Sequence, residues 1–478
     1  MKFTNLIKKH WKLFLVLILI VNFLIRLLIY RETNIPGLSD SGSYINGIET
    51  IHETGWINLK SGNFLYALSY LGYFAKYKLG SIDYFFYFNC LLGTIATFII
   101  SILVVQITRQ EITGVITALI LTFYVEFMVF SSVFYTPVIM LFLLSAFLLL
   151  LFYYLQSKTV ISSLLLLTII LFVYLATFLF KPELVALPIF LLVLIFIAYK
   201  KKKLIKKYLI LTIVLLFGIF LVNLSGIYNK NGDTGIGNDF VFFGHTDYGG
   251  DGGEGAFIYA ENKARYDEAF KKYCIKNNLN DPSLKDRNNF HLDEIKRFII
   301  QHPLKWTGIQ FIKFFRTFGV VPESTSFKIL YSGLLKDKLW LSAILVVAPV
   351  ALIIVLFISL FNWGTLKYIN CETDEKASAN NSFFYIYILF FIYYLIATIF
   401  LGQYQERYRL PVMVVFLVPV LSYFIANFDK REFLNRTALI RKGIIMAVFL
   451  VIWIIQAEKT ISNKERLSNL IESINNHK

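Results

Sequence analysis

The sequence predicts an all-α polytopic membrane protein with about eleven transmembrane helices, and two observations carry this prediction. First, the 478 residues are 57% hydrophobic, with 47 Phe and 29 Tyr, and the mean hydropathy is +0.63. A soluble core of this size cannot bury so much apolar surface. Second, apolar runs of about 20 residues recur along the whole chain as continuous blocks rather than as alternating segments, which is typical of bilayer-spanning helices.

These runs divide the chain into modules. We expect an N-terminal transmembrane module at 1–226 with about seven spans, an external loop at 227–338, a C-terminal transmembrane module at 339–457 with about four spans, and a tail at 458–478. In the first external loop, 31–82, apolar spacing predicts a short helix at 40–54 and an amphipathic interfacial helix at 64–77. A second interfacial helix is predicted at 305–320. The eleven spans lie near 12–30, 83–106, 112–130, 133–155, 160–179, 184–199, 208–226, 339–361, 383–401, 409–427 and 443–457.

The positions of the cations predict the orientation. Lysines precede the first span, "KKKKLIKK" at Lys200–Lys207 follows the sixth, and five Lys or Arg residues follow the tenth. If the spans alternate, these groups share one side, which is therefore cytoplasmic. The net charge of +16 is split among loops, which argues against a nucleic-acid partner. Cys274 is the one cysteine on the external side, so no disulfide within the external part is expected.

Two acids and one arginine stand out near the external ends of apolar runs. Asp40 follows the first span, where it is either the N-cap of a short helix or a functional carboxylate, and both interpretations stay open at this point. Arg26 lies inside the outer half of the first span, and we expect it to pair with an acid such as Asp40 or Glu32. Glu126, near the outer end of the third span, is expected to be a structural partner of a nearby cation rather than a proton relay.

Further cations lie at external span ends. "QERYRLP" places Glu406, Arg407 and Arg409 at the mouth of the tenth span, and "FKPE" places Lys181 before the sixth. Such residues either snorkel to the interface or bind an anionic group. Two arginines beside a glutamate, followed by a proline, favour a binding site.

Motifs of other functional classes are missing from the sequence. There is no Walker loop, no dinucleotide fingerprint and no His/Cys cluster at metal-ligand spacing. "YGGDGGEG", which begins at Tyr248, lacks the carboxylate spacing of a calcium loop. We therefore predict no metal site and no required cofactor, although a divalent cation is compatible with phosphate chemistry.

Four segments, in this order along nearly the whole chain, resemble the GT-C superfamily of membrane glycosyltransferases. They are most similar to the bacterial branch related to protein O-mannosyltransferases and lipid A aminoarabinose transferases. The segments are "SDSGSYINGIETIHETG" after the first span, "FKPELVALP" entering the sixth, "YGGDGGEG" with the helices that follow it, and "ERYRLPVMVVFLVP" near the end.

The resemblance implies a fold, an activity and a set of site residues. It implies Asp40 as the catalytic base and Arg407, Arg409 and Lys181 as ligands of the donor phosphate. Arg26, Glu406, Tyr44 and Tyr248 are assigned supporting roles.

The implied activity is inverting transfer of a sugar from a polyprenyl-phosphate donor to a hydroxyl of a glycan, lipid or protein acceptor. The reaction is expected at the extracytoplasmic face of a bacterial cytoplasmic membrane, with the N-terminus in the cytoplasm. Two alternatives remain open: a flippase for lipid-linked glycans, which moves its substrate without forming a bond, and a polymerase that transfers glycans en bloc.

Overall fold

The computed structural model describes the greater part of the chain, and every regular element in that part is a helix. The predicted all-α class is therefore confirmed for these residues. The described residues are 2–33, 41–55, 66–180, 184–185, 187–197, 202–224, 239–249, 260–318, 387–394, 396 and 409–426, with isolated positions at 345, 443, 447 and 451.

Five helices in the described part are long and apolar enough to cross a membrane. Helix α1 is Lys2–Thr33, and its apolar part begins at Lys9. The others are α4 (Asp83–Thr108), α7 (Pro137–Gln156), α8 (Val160–Phe180) and α10 (Lys202–Leu224). Two helices of the first external loop, α2 (Ser41–Thr54) and α3 (Tyr66–Tyr73), come between α1 and α4.

The segment predicted as a span at 112–130 is helical but is broken into two pieces. The chain forms α5 (Glu111–Phe123) and α6 (Val125–Val129), which ends in a short 3-10 turn at Phe130–Ser132, and the two pieces meet at an angle of 67°. The break is at Tyr124, whose backbone is extended (φ −79, ψ 90). Carbonyls at the end of the second piece are bound by a neighbouring span, since the Asn89 side chain donates to the carbonyl of Ser131 at 3.1 Å. This broken pair makes a sixth crossing if it is one span.

The remaining predicted spans are not established at full length. The span predicted at 184–199 is described as α9 (Leu187–Ile197), which has 11 residues. The predicted spans at 339–361 and 443–457 lie almost wholly outside the described residues, and 383–401 is described at 387–394 and 396. The span predicted at 409–427 is described from 409 to 426, where a π-helix, Pro411–Leu417, continues into an α-helix, Val418–Ala426.

The membrane helices differ in how much of their surface is covered. Of the 18 most apolar consecutive residues in each helix, 72% are buried in α7, 22% in α1 and 28% in α8. Helix α1 exposes Leu17, Leu24 and Leu28 by more than half. An apolar face of this kind suits contact with lipid. Helix α7 is thus central, and α1 and α8 lie at the periphery of the described bundle.

Both helices predicted in the first external loop are present, as α2 and as α3 with its π-helical extension Phe74–Lys78. They lie so close that a Cβ on Gly72 would come within 2.5 Å of the Ile48 side chain. The Ser69 hydroxyl donates to the Tyr44 carbonyl at 3.0 Å, and Glu49 pairs with Lys76 at 2.6 Å. The apolar spacing of α2 predicts this packing, because Tyr44, Ile48 and Ile51 are all buried.

The loop at 227–338, which is predicted to be external, contains four described helices with an apolar cluster of their own. They are α11 (Asp239–His245), α12 (Ala260–Lys276), α13 (Leu284–Gln301) and α14 (Pro303–Phe318), and the cluster forms around Phe242, Tyr266 and Phe290. Ser283 and Asp286 form a capping box that starts α13. The predicted helix boundary at His302-Pro303 is confirmed.

Candidate functional site

Four of the eight predicted site residues belong to the described part of the chain: Arg26, Tyr44, Tyr248 and Arg409. Asp40, Lys181, Glu406 and Arg407 lie outside the described residues. The structure therefore gives contacts for the first four residues and for the segments that flank the other four.

Arg409 and Glu126 form an ion pair inside the bundle. The Arg409 Nε lies 2.9 Å from Oε1 and 3.0 Å from Oε2 of Glu126, and the side chains are 1% and 0% exposed. The Tyr124 hydroxyl donates to Glu126 Oε2 at 2.5 Å. Buried charges persist in proteins when they are paired and hydrogen-bonded, as these are. The expectation that Glu126 partners a nearby cation is confirmed.

This pairing bears on the role expected for Arg409. Its Nε already binds the Glu126 carboxylate, so this nitrogen is not available to a donor phosphate. The residues that follow it, Leu410 to Val418, are all buried. Arg409 thus anchors the start of the last described helical segment to the bend between α5 and α6, and its contact with a donor phosphate stays a prediction.

Arg26 is fully buried, and its described partners are neutral. It donates through Nε to Asn22 Oδ1 at 2.9 Å, through Nη1 to the Phe127 carbonyl at 3.1 Å, and to the Ser131 hydroxyl. The guanidinium also lies 4.1 Å from the centre of the Phe127 ring, a cation–π arrangement. Glu32 is not among these contacts, so the expected pair with Glu32 is wrong, and Asp40, the other expected partner, lies outside the described residues. The guanidinium is held by three neutral oxygen acceptors and by the Phe127 ring.

Sequence reasoning missed the residues that hold Arg26. Asn22 lies one turn earlier on α1, and it also binds Thr122 and Thr94, each at 3.1 Å. Gly93 of α4 permits the approach, because a Cβ there would lie 2.5 Å from Arg26 Nη1. The available signal was Asn22 itself, a polar residue four positions before Arg26 in an apolar run.

Tyr44 connects α2 to the bent segment. Its ring makes edge contacts with Phe134 and Tyr135, with centroids 6.1 Å and 6.2 Å apart. Those two residues follow the turn that ends the α5–α6 pair. Asp40 immediately precedes Ser41, the first residue of α2. The start of α2 and the beginning of the last helix therefore both depend on residues 124–135.

Tyr248 belongs to the external helices. Its ring lies 4.5 Å from the Arg265 guanidinium, and its hydroxyl donates to Glu294 at 3.4 Å. Burial raises the pKa of Tyr248 to about 12, so the hydroxyl stays protonated at neutral pH. Its ring contacts and hydrogen bond are with residues of the external loop, so the structure does not join Tyr248 to Arg26 or Arg409.

Across the described ranges, no group of three or more His, Cys, Asp or Glu is arranged to hold a metal ion. Comparison with protein-family models and with curated proteins finds no match for this chain. The resemblance to membrane glycosyltransferases therefore rests on the four sequence segments.

Proposed function

We propose that this protein is an inverting glycosyltransferase that moves a sugar from a polyprenyl-phosphate carrier to an acceptor hydroxyl. The reaction takes place at the external face of the membrane. Asp40 is the catalytic base, and Arg407 and Lys181 bind the phosphate, with Arg409 beside them.

The chemistry requires few groups. A lipid phosphate leaves readily when fixed cations meet its growing negative charge, so no acid catalyst is needed. The acceptor hydroxyl is a weak nucleophile, and a carboxylate that takes its proton increases its reactivity. A single carboxylate on the face of the sugar opposite the phosphate leads to inversion, as in inverting glycosidases. One acid and a cationic group therefore suffice.

The observation that carries the proposal is the meeting of three distant regions of the chain. Helix α2, which begins one residue after Asp40, packs through Tyr44 on Phe134 and Tyr135. The segment just before those residues holds Arg409 through Glu126, 283 positions away in sequence. The proposed site takes its carboxylate, Asp40, from the first of these regions and its two arginines from the last. Their common attachment to residues 124–135 supports the proposal.

The charges inside the described spans favour an enzyme over an ion-coupled carrier. Such carriers usually have acids within their spans that take up and release protons or ions. Among the described span residues, Glu126 is the one buried acid, and both of its oxygens bind the Arg409 Nε. A flippase or a polymerase for lipid-linked glycans remains the alternative, and the experiment below separates it from a transferase.

The test replaces Asp40 by Asn in the full-length protein. Membranes that contain the variant are supplied with radiolabelled polyprenyl phosphates carrying mannose, glucose or aminoarabinose, and transfer of label to acceptor material is measured. We expect the rate to fall by at least about 100-fold, because a positioned general base contributes roughly 10²–10⁴-fold. Protein level and thermal stability should stay unchanged.

The matched control is Glu53→Gln, an exposed acid near the other end of α2, which we expect to leave transfer unchanged. Full activity of the Asp40→Asn variant would remove Asp40 from the mechanism. A wild-type protein that moves labelled lipid across the bilayer of reconstituted vesicles without forming a glycosidic bond would establish the flippase instead.

A further inference from the structure

The external helices enclose a pocket that neither the resemblance nor the proposed reaction assigns. It lies between α12, α13 and the turn at Asp247–Gly249, and its volume is about 330 Å³. Sites for small molecules usually measure about 300–1,000 Å³, so this one has room for a small ligand. Its buried lining includes Tyr248, Phe298 and Glu294.

The charges around the pocket balance. The cations that line it are Arg265, Lys272 and Arg297, and the acids are Asp247, Glu268 and Glu294. Each cation has an acid partner: Arg265 with Asp247 at 2.8 Å, Lys272 with Glu268 at 2.7 Å, and Arg297 with Glu294 at 2.5 Å. Three positive and three negative side chains leave no net charge among the lining groups. Lys305, which does not line the pocket, also binds Asp247 at 2.8 Å, so both oxygens of Asp247 are held by cations. A phosphate or a polyanion therefore meets cations that already have carboxylate partners, and displacing those partners offsets the attraction that it gains.

The same lining is too polar for an apolar ligand. Covering ionised side chains with hydrocarbon removes them from water without replacing their hydrogen bonds, which is costly. Guanidinium and ammonium groups donate, carboxylates accept, and both kinds line this pocket. A hydroxyl group donates and accepts at once, so a ligand with several neighbouring hydroxyls matches the pattern. The buried edges of Tyr248 and Phe298 offer an apolar surface for the C–H groups of such a ligand.

We propose that this pocket binds a neutral saccharide and that this saccharide is the sugar-containing end of the acceptor. The first statement stands on the pocket alone. The second rests on the proposed function, since it needs a transferase for the acceptor to serve. The sequence leaves a glycan, a lipid or a protein open as the acceptor. The pocket favours an acceptor whose end is a neutral glycan.

Binding is measured without a donor, so failure of the transferase proposal does not affect the result. Full-length protein in lipid nanodiscs is mixed with cellobiose, mannobiose and maltose, and with tri-galacturonic acid and inorganic phosphate. Nanodiscs avoid the sugar head groups of common detergents, which would compete. Saturation-transfer NMR and calorimetry detect contact and measure affinity. We expect saturable binding of at least one neutral disaccharide and weaker binding of the charged probes.

Two neighbouring lysines give a matched pair of variants. Lys272 lines the pocket and its side chain is 73% exposed, whereas Lys271 is also exposed but does not line it. Neither change should affect folding. We expect Lys272→Gln to weaken disaccharide binding about tenfold, the effect of one lost charge-assisted hydrogen bond, and Lys271→Gln to leave it unchanged.

A second pair lies about two turns away on the same helix. Arg265→Gln should also weaken binding, and Lys263→Gln, which removes a cation from an exposed pair with Asp267, should not. The proposal is overturned if no saccharide binds saturably, if tri-galacturonic acid or phosphate binds more tightly than the neutral sugars, or if the Lys271 and Lys272 variants behave alike.

Discussion

At the scale of residues, the buried guanidinium groups are held in two different ways. Arg409 has a carboxylate, Glu126, within 2.9 Å, whereas Arg26 has neutral oxygens and the Phe127 ring. The sequence shows that both arginines are costly in an apolar environment, and it therefore predicts that each has partners. It does not show which partners, because Arg409 and Glu126 are 283 positions apart and the pairing depends on how the helices assemble.

The ion pair gives a prediction about stability. Glu126→Leu removes the carboxylate that lies 2.9 Å from the buried Arg409 Nε, and breaking a buried pair by removing one partner costs about 3–5 kcal/mol. We expect a clear fall in the temperature of thermal unfolding of the purified protein. The double variant Glu126→Leu/Arg409→Met should recover most of the loss, since replacing both charges by apolar groups is often neutral.

Glu111→Leu, at the start of the same broken segment, serves as the control and should change the unfolding temperature little. If the single Glu126 variant is as stable as the Glu111 variant, the pair contributes nothing. If the double variant is less stable than Glu126→Leu alone, the buried charge of Arg409 is not what lowers the stability of the single variant.

At the scale of elements, the sequence predicts helices well where their apolar spacing is regular. Helices α2 and α13 and the break before Pro303 follow from spacing and from proline chemistry. The bend at Tyr124 does not, because neither glycine nor proline lies at the break and the residues on both sides of it are mostly apolar. What distinguishes this segment is a set of contacts with other helices, through Glu126, Phe127 and Ser131, and a one-dimensional pattern does not contain them.

Helix α14 gives a prediction about how stability depends on pH. Lys313 is fully buried and donates to the Gly244 carbonyl at 2.8 Å, and burial lowers its pKa to about 7. In the unfolded chain the pKa of lysine is about 10.4. Between these two values the unfolded state binds the proton and the folded state does not, so stability increases with pH from about 7 to about 10.

Thermal unfolding of wild-type protein and of Lys313→Met at pH 7 and pH 9 tests this dependence. Other groups titrate in both proteins, so the quantity of interest is the difference between them. We expect the wild type to gain more stability from pH 7 to pH 9 than the variant does. Lys296→Met, an exposed lysine on α13, should keep the wild-type dependence. An equal gain in the wild type and Lys313→Met would show that Lys313 is not titrating in this range.

At the scale of the whole molecule, several contacts agree with spans that alternate across the membrane. The Tyr30 hydroxyl at the end of α1 donates to Asp83 at the start of α4. Lys207 of α10 donates to the carbonyls of Leu155 and Ser157, where α7 ends, at 2.9 Å and 2.7 Å. Both pairings join chain ends that the predicted alternation puts on the same side. Which side is cytoplasmic is predicted by the lysine-rich loops.

The cysteines test that orientation without any added label site. Cys274 is a partly exposed free thiol on α12, in the predicted external loop, and Cys90 is buried in α4. Cys371 lies in a loop predicted to be cytoplasmic. A membrane-impermeant maleimide should therefore label intact cells at Cys274, and Cys274→Ala should abolish that labelling. Labelling of Cys371 should require permeabilised cells. If Cys274 reacts after permeabilisation and not before, the external loop faces the cytoplasm, and a reaction that uses lipid-linked sugars at the outer surface has no site there.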